Sequence, residues 1–278
     1  MHLTDKIVEL YQKPNIICAP PSLLDTQNMT INSFAEVHKA RIEREVAAQG
    51  FHLRKATIDD ITNLSNFVLS RYPIEIATEV SAYDMYRFIT YGYGLLIENE
   101  AKEIQACHFE IGYDTPDKTS YSIRLGVDRA LVGKHLGRML ILYTCLLAME
   151  RGSFVKRGLL DYDNHVILYI HLNKIGSMLY NFRDIQSIGI CYNACLPLSP
   201  NGLSSNKIDV EKVLDFTKNN KKGVDFMTVD CNDLETLHNM YEKTSFKAVA
   251  FLRAGTYQAT NHLFALPAEI IDYQAASH

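Results

Sequence analysis

The chain has 278 residues, of which 47% are hydrophobic and 22% charged, and it carries a formal net charge of −4. That is the composition of a globular protein able to bury a sizeable core, and it excludes a disordered chain. The mild acidity argues against nucleic-acid binding by bulk phosphate attraction. The six cysteines are Cys18, Cys107, Cys145, Cys191, Cys195 and Cys231. No two form a CxxC pair and most sit in apolar runs, so they are expected as free thiols of a reducing compartment, without a zinc site. The opening MHLTDKIVELYQKPN lacks the pattern of a signal peptide, and no apolar run is long enough to span a bilayer. The expectation is a cytoplasmic protein with no membrane partner.

Residues 1–50 read as an N-terminal helical extension. TDKIVELYQ is a short amphipathic stretch broken by Pro14 and Pro20-Pro21, and INSFAEVHKARIEREVAAQG has helical composition with Gly50 as a stop. FHLRKAT is strand-like. The following helix would place Ile58, Ile61, Leu64, Phe67 and Val68 on one face, with Asp59 and Asp60 in its first turn. SAYDMYRFITYG is a further helix. YGLLIENE and KEIQACHFEIGYD read as a hairpin, and YSIRLGV as the next strand.

A long apolar helix then runs to Gly152, and its LILYTCLLAM run is expected to be buried. Beyond it, KRGLLDYDNHVILYIHLNKIG reads as strand then helix, and SMLYNFRDIQSIGICYNACLPLS as strands and loops. SPNGLSSN is a polar connector. KIDVEKVLDFTKNN is a helix, and a strand, a helix and two strands close the pattern. Strands alternate with helices, but neighbouring strands also occur, which defines a mixed α/β class of α+β type. His165, His171 and His238 lie on apolar helical stretches and read as structural.

The stretch VDRALVGKHLGRML at 127–140 joins a strand to that long helix through two glycines. The first turn of a helix has amides without intrahelical partners and about half a positive charge from the dipole, so this order is suited to an anion. Lys134, His135 and Arg138 add donors. Neither GxxxxGK[ST] nor GxGxxG is present.

In these residues the chain resembles the GNAT acyltransferase superfamily. That family has a strand ending in Val, a turn, then Arg-Gly-x-Gly-x-Gly or Gln-x-x-Gly-x-Gly opening a helix. Here Val127 ends the strand and Val132-Gly133-Lys134-His135-Leu136-Gly137 follows. The second and sixth positions agree, whereas Val132 replaces Arg or Gln and His135 replaces Gly. The opening strand and helix at 53–64 and the hairpin at 94–113 fit the family order. The closing strand-helix-strand is similar to 224–252, where Asn232, Tyr241 and Ser245-Phe246 take the expected places. A second candidate lies at 161–176, with Asn164 and Gly176. The C-terminal copy is favoured as the core one, which makes 51–278 a GNAT-like domain with an insertion at about 153–222.

The resemblance implies a mainly antiparallel twisted sheet flanked by helices. It implies an N-acyltransferase taking acetyl-CoA or another acyl-CoA as donor and a small-molecule or protein amine as acceptor. Val127, Val132, Gly133, Lys134, His135, Leu136, Gly137, Arg138 and Asn232 would then hold the cofactor, with the Val127 amide polarising the thioester carbonyl. Tyr241 would be the acid for the thiolate. Glu110 would be the base, with His108 on the same strand face as the second choice. Alternatives are a long-chain N-acyl amino acid or acyl-homoserine-lactone synthase-like enzyme drawing on acyl carrier protein, and a non-catalytic binding domain. A homodimer and the identity of the acceptor are left open.

Overall fold

The computed structural model describes residues 30–70, 82–112, 118–185, 189–198, 209–219, 225–256 and 258–268. The expected helix TDKIVELYQ, Cys18 and the connector SPNGLSSN lie outside the described residues. The chain divides into two compact units at Gly158/Leu159. The expectation put the divisions at residue 50 and at about 153–222. The helix of the N-terminal region instead belongs to the first unit.

That first unit opens with α1 (Ile31–Ala47), whose N-cap Thr30 accepts from the Ser33 N–H at 3.2 Å. Phe34, His38, Ile42 and Val46 recur at intervals of four and bury one stripe. Next come β1 (His52–Lys55), α2 (Ile61–Leu69), α3 (Ala82–Tyr91), β2 (Tyr93–Glu98), β3 (Ile104–Ile111), β4 (Thr119–Val127), α4 (Leu136–Glu150) and β5 (Val155–Asp161). The strands lie in chain order from β1 to β5. All pairs are antiparallel except β4 with β5. α4 must cross over between β4 and β5, which is what a parallel pair requires.

The two faces of β3 separate by side-chain alternation. Cys107 and Phe109 join Leu64, Phe67, Val68, Met85, Ile89 and Leu96 in a core with α2 and α3. His108 and Glu110 face the other way, toward α4. Ile58, expected on the buried face of α2, is 58% exposed, because the helix proper begins after it. α4 is apolar nearly all round and lies between α1 and the sheet, as a helix hydrophobic on every side should. Lys39 of α1 contacts both Glu150 oxygens at 2.7 Å, and the Tyr143 hydroxyl donates to Glu43 at 2.6 Å. Among the described residues no helix is long and apolar enough to cross a membrane.

From Leu159 the second unit contains the end of β5, α5 (His165–Tyr169), β6 (Met178–Ile185), β7 (Gly189–Pro197), α6 (Val210–Lys218), β8 (Met227–Asp230), α7 (Leu234–Lys243), β9 (Phe246–Leu252) and β10 (His262–Pro267). A π-helical turn over Ile170–Ile175 prolongs α5. The strand order is β7-β6-β9-β10-β8. Tyr162 N–H, just past β5, donates to Ile190 O at 3.1 Å. The unit is therefore two strand-helix-hairpin motifs, β5-α5-β6-β7 and β8-α7-β9-β10, set back to back with β6 antiparallel to β9 at Leu179↔Ala248. Asn173 ties them by donating to Phe251 O at 2.7 Å and accepting from Phe251 N–H at 2.8 Å.

Candidate active site

β4 ends at Val127, and its pairing fixes where its amides point. Asp128 N–H donates to Gln105 O at 2.8 Å. In an antiparallel ladder successive amides alternate sides, so Val127 N–H turns away from β3, toward the β5 side. The β4·β5 register covers only four pairs, Thr119↔Val155 to Ser122↔Gly158. One residue on, the β3·β4 register slips between Phe109 and Glu110, leaving Ile123 as the extra residue on β4. A bulge bends the strand at the point where the parallel ladder stops, a location common beside active sites.

Asp128 closes a single 3-10 turn, accepting from Ala130 N–H at 2.9 Å. The chain then climbs through Val132, Gly133, Lys134 and His135, all exposed, into α4. Gly133 has φ +95°, and a Cβ built there meets nothing within 4 Å. Its role is backbone shape, not room. Gly137 differs: an added Cβ would sit 3.2 Å from Val127 Cγ2 and 3.5 Å from Leu125 Cδ2. That glycine lets the helix lie close on β4.

His135 is the N-cap of α4 with φ 64°, a left-handed conformation that costs a non-glycine residue roughly 1–2 kcal/mol. Its side chain makes no capping bond. The first intrahelical bond is Met139 N–H to His135 O at 3.0 Å. Leu136, Gly137 and Arg138 thus present amides ahead of the helical ladder. Arg138 Nε is buried without a hydrogen-bond partner, and burial lowers the guanidinium pKa. Uncapped amides at a helix N-terminus suit an anionic group such as a phosphate, and Arg138, half-buried with Glu45 as its charged neighbour, stands in the same turn.

Glu110 does not stand at this mouth. It lies wholly buried under α4, ion-paired with Lys156 of β5 and accepting from Ser120 Oγ at 2.6 Å. Lys156 is 3% exposed and donates to Thr144 Oγ1 at 2.6 Å, and burial pulls its pKa well below the ordinary lysine value. His108, also wholly buried, joins the same network through Thr144 and Ser122. The alternation of β3 puts Glu110 and His108 on one face as expected. That face is covered by Thr144 and Lys156, which the sequence reading passed over. A threonine inside LILYTCLLAM and a lysine at the start of a strand were the available signals.

Asn232 and Tyr241 lie in the second unit, and the other candidate residues lie in the first. Asn232 N–H donates to Asp230 Oδ1 at 2.9 Å in the turn before α7, where Asp233 supplies the cap. The Tyr241 ring packs with Phe182 and Tyr192, and burial drives its hydroxyl pKa well above the ordinary value. Cys107 and Cys231 are buried free thiols pushed up to about 12, and so are unreactive.

No family model matches the chain, and no curated protein matches it in sequence. The fold is similar to those of solved GNAT-family acetyltransferases. The ribosomal-protein-S18-alanine N-acetyltransferase of Escherichia coli is 12% identical, covering 54% of this chain and 94% of its own with a TM-score of 0.43. A GNAT-family acetyltransferase of Staphylococcus aureus is 15% identical, covering 54% and 99%, TM-score 0.43. A Salmonella typhimurium protein described as an acetyltransferase, solved with its cofactor acetyl-CoA, is 16% identical, covering 54% and 94%, TM-score 0.44.

Proposed function

We propose that the protein is an N-acyltransferase that moves an acyl group from coenzyme A to an amine. The observation that carries this reading is the uncapped first turn of α4 beside the bulged end of β4. The amides of Leu136, Gly137 and Arg138 would hold the pyrophosphate, with Lys134 and the Arg138 guanidinium adding positive charge. Val127 N–H, turned away from β3 and beside Gly137, is suited to donate to the pantetheine arm as it leaves the phosphates, and the thioester carbonyl then lies further back along β4, at the bulge, where negative charge grows as the amine attacks. Acyl-CoA supplies the activated thioester. The departing thiol titrates near pH ~8.5, so it leaves without needing a strong acid. This reading gives Tyr241 no proton to move, since its hydroxyl is part of a core.

We further propose that the acyltransferase core closes with β5-α5-β6-β7. This motif follows β5 without interruption. Asn164 caps α5 by accepting from Ile167 N–H at 3.2 Å, and Gly176, with φ 91°, ends the π-helical turn. The β8-α7-β9-β10 motif is then a second copy appended to it.

Isothermal titration with acetyl-CoA tests the reading. Binding is expected, weakened at least tenfold in K134E, an exposed substitution that sets a carboxylate where phosphates would lie. An absence of heat and of any thermal shift with acetyl-CoA would overturn it.

A further inference from the structure

The polar network under α4 has one member that is only partly buried. Ser122 Oγ lies 2.6 Å from His108 Nε2, and His108 itself is wholly buried. Ser122 is also the last β4 residue in register with β5, next to the bulge at Ile123. Its β5 neighbour is Gly158, where an added Cβ would come 3.3 Å from Ser122 Cβ and 4.0 Å from its Oγ. The glycine keeps the space beside the hydroxyl clear.

The hydrogen bonds fix which nitrogen of His108 carries the proton. Thr144 has one proton to donate and two lone pairs to offer. It donates to Ile141 O at 2.8 Å and accepts from Lys156 Nζ at 2.6 Å. Its contact with His108 Nδ1, at 3.1 Å, is therefore one in which Nδ1–H donates. In the neutral ring Nε2 is left as an acceptor, and Ser122 O–H points its proton there. Lys156 and Glu110 neutralise one another, so the pair adds no net charge beside the imidazole.

We propose that Ser122 and His108 form the proton-accepting pair of the site, and this rests on the acyl-transfer reading above. As the acceptor nitrogen bonds to the thioester carbon, its N–H proton passes to Ser122 Oγ while the Ser122 proton passes to His108 Nε2. The imidazolium that results keeps Nδ1–H on Thr144, and its extra proton returns through Ser122 to the thiolate released when the C–S bond breaks. Ser122 touches the nucleophile. His108 acts through it as a positioning and storage residue, and Glu110 stays paired with Lys156.

Nitrogen-15 NMR of histidine-labelled protein at pH 7.5 tests this, with the His108 ring identified by its loss in H108Q. The expected state is a neutral ring protonated at Nδ1, whose Nε2 signal moves downfield in S122A and stays close to its wild-type position in S122T. In T144V the preference for Nδ1–H is lost. A ring protonated at Nε2, an imidazolium, or an Nε2 signal indifferent to S122A overturns the pair. Calorimetry with acetyl-CoA on the same samples separates the two claims. Binding with the wrong tautomer sinks the pair alone, and the expected tautomer without binding sinks the acyl-transfer reading on which the pair's role depends.

Discussion

Replacing Lys156 by methionine removes one half of a buried ion pair and leaves the other half in place. Lys156 is 3% and Glu110 0% exposed, so water cannot take over the partner's role. Breaking such a pair from one side costs roughly 3–5 kcal/mol, because a carboxylate is left in a low-dielectric interior with Ser120 as its donor. In a unit of this size that is a fall in Tm of roughly 6–20 °C. The deficit has a pH signature. Burial without the lysine's charge favours the protonated carboxyl of Glu110, so in K156M its folded pKa rises above its unfolded value near ~4.3. A group with a raised folded pKa contributes stability that is present below the unfolded pKa and lost as pH rises toward the folded one. K156M should therefore lie closest to wild type near pH 5 and fall behind toward pH 8. The double variant K156M/E110Q, which needs no charge, should recover at least half the loss. Thermal melts followed by circular dichroism across that range measure it. A K156M protein within about 1 kcal/mol of wild type, or a loss independent of pH and untouched by E110Q, would refute the buried pair.

His135→Gly should raise stability by about 0.5 kcal/mol, since relief of the left-handed penalty exceeds the added chain entropy, and should leave acetyl-CoA affinity intact. Urea denaturation and calorimetry read the two effects, and a loss of affinity would mean the imidazole itself contacts the donor. Asp60 is held down to about 2 by hydrogen bonds from Arg54 and by the Thr57 N–H and hydroxyl. A lowered folded pKa contributes stability present above ~3.8 and lost as pH falls toward 2. D60N should cost about 1 kcal/mol at neutral pH, a modest figure because Arg54 is more than a third exposed. The deficit should shrink in acid, and an unchanged gap between pH 7 and pH 3 by urea denaturation would contradict the linkage.

The strands and helices of residues 52–161 were legible because period-two alternation, period-3.6 spacing and glycine stops agree there. α4 begins at Leu136, just after the residue that replaces glycine in the motif, and ends before Gly152. The closing motif was ambiguous in sequence for a physical reason: both stretches fold alike. Residues 161–176 and 232–246 each form the helix of a strand-helix-hairpin motif, and sequence pattern cannot rank two copies of one solution. Register and burial were less accessible. Alternation put His108 with Glu110, but only the packing of Thr144 and Lys156 shows that the shared face is interior and that Ser122 is its half-buried member. Gly133 and Gly137 looked alike in sequence. One serves a positive φ and the other a close helix-to-strand approach, a distinction that needs coordinates.

Acyl transfer by this chain depends on the first turn of α4 gripping the phosphates of coenzyme A. Amide proton–nitrogen spectra recorded as coenzyme A is added read that contact directly. Saturable shifts centred on Leu136, Gly137 and Arg138, with those residues moving most, are the predicted result. Shifts concentrated elsewhere in the chain, with these three amides unmoved at saturating coenzyme A, would contradict it.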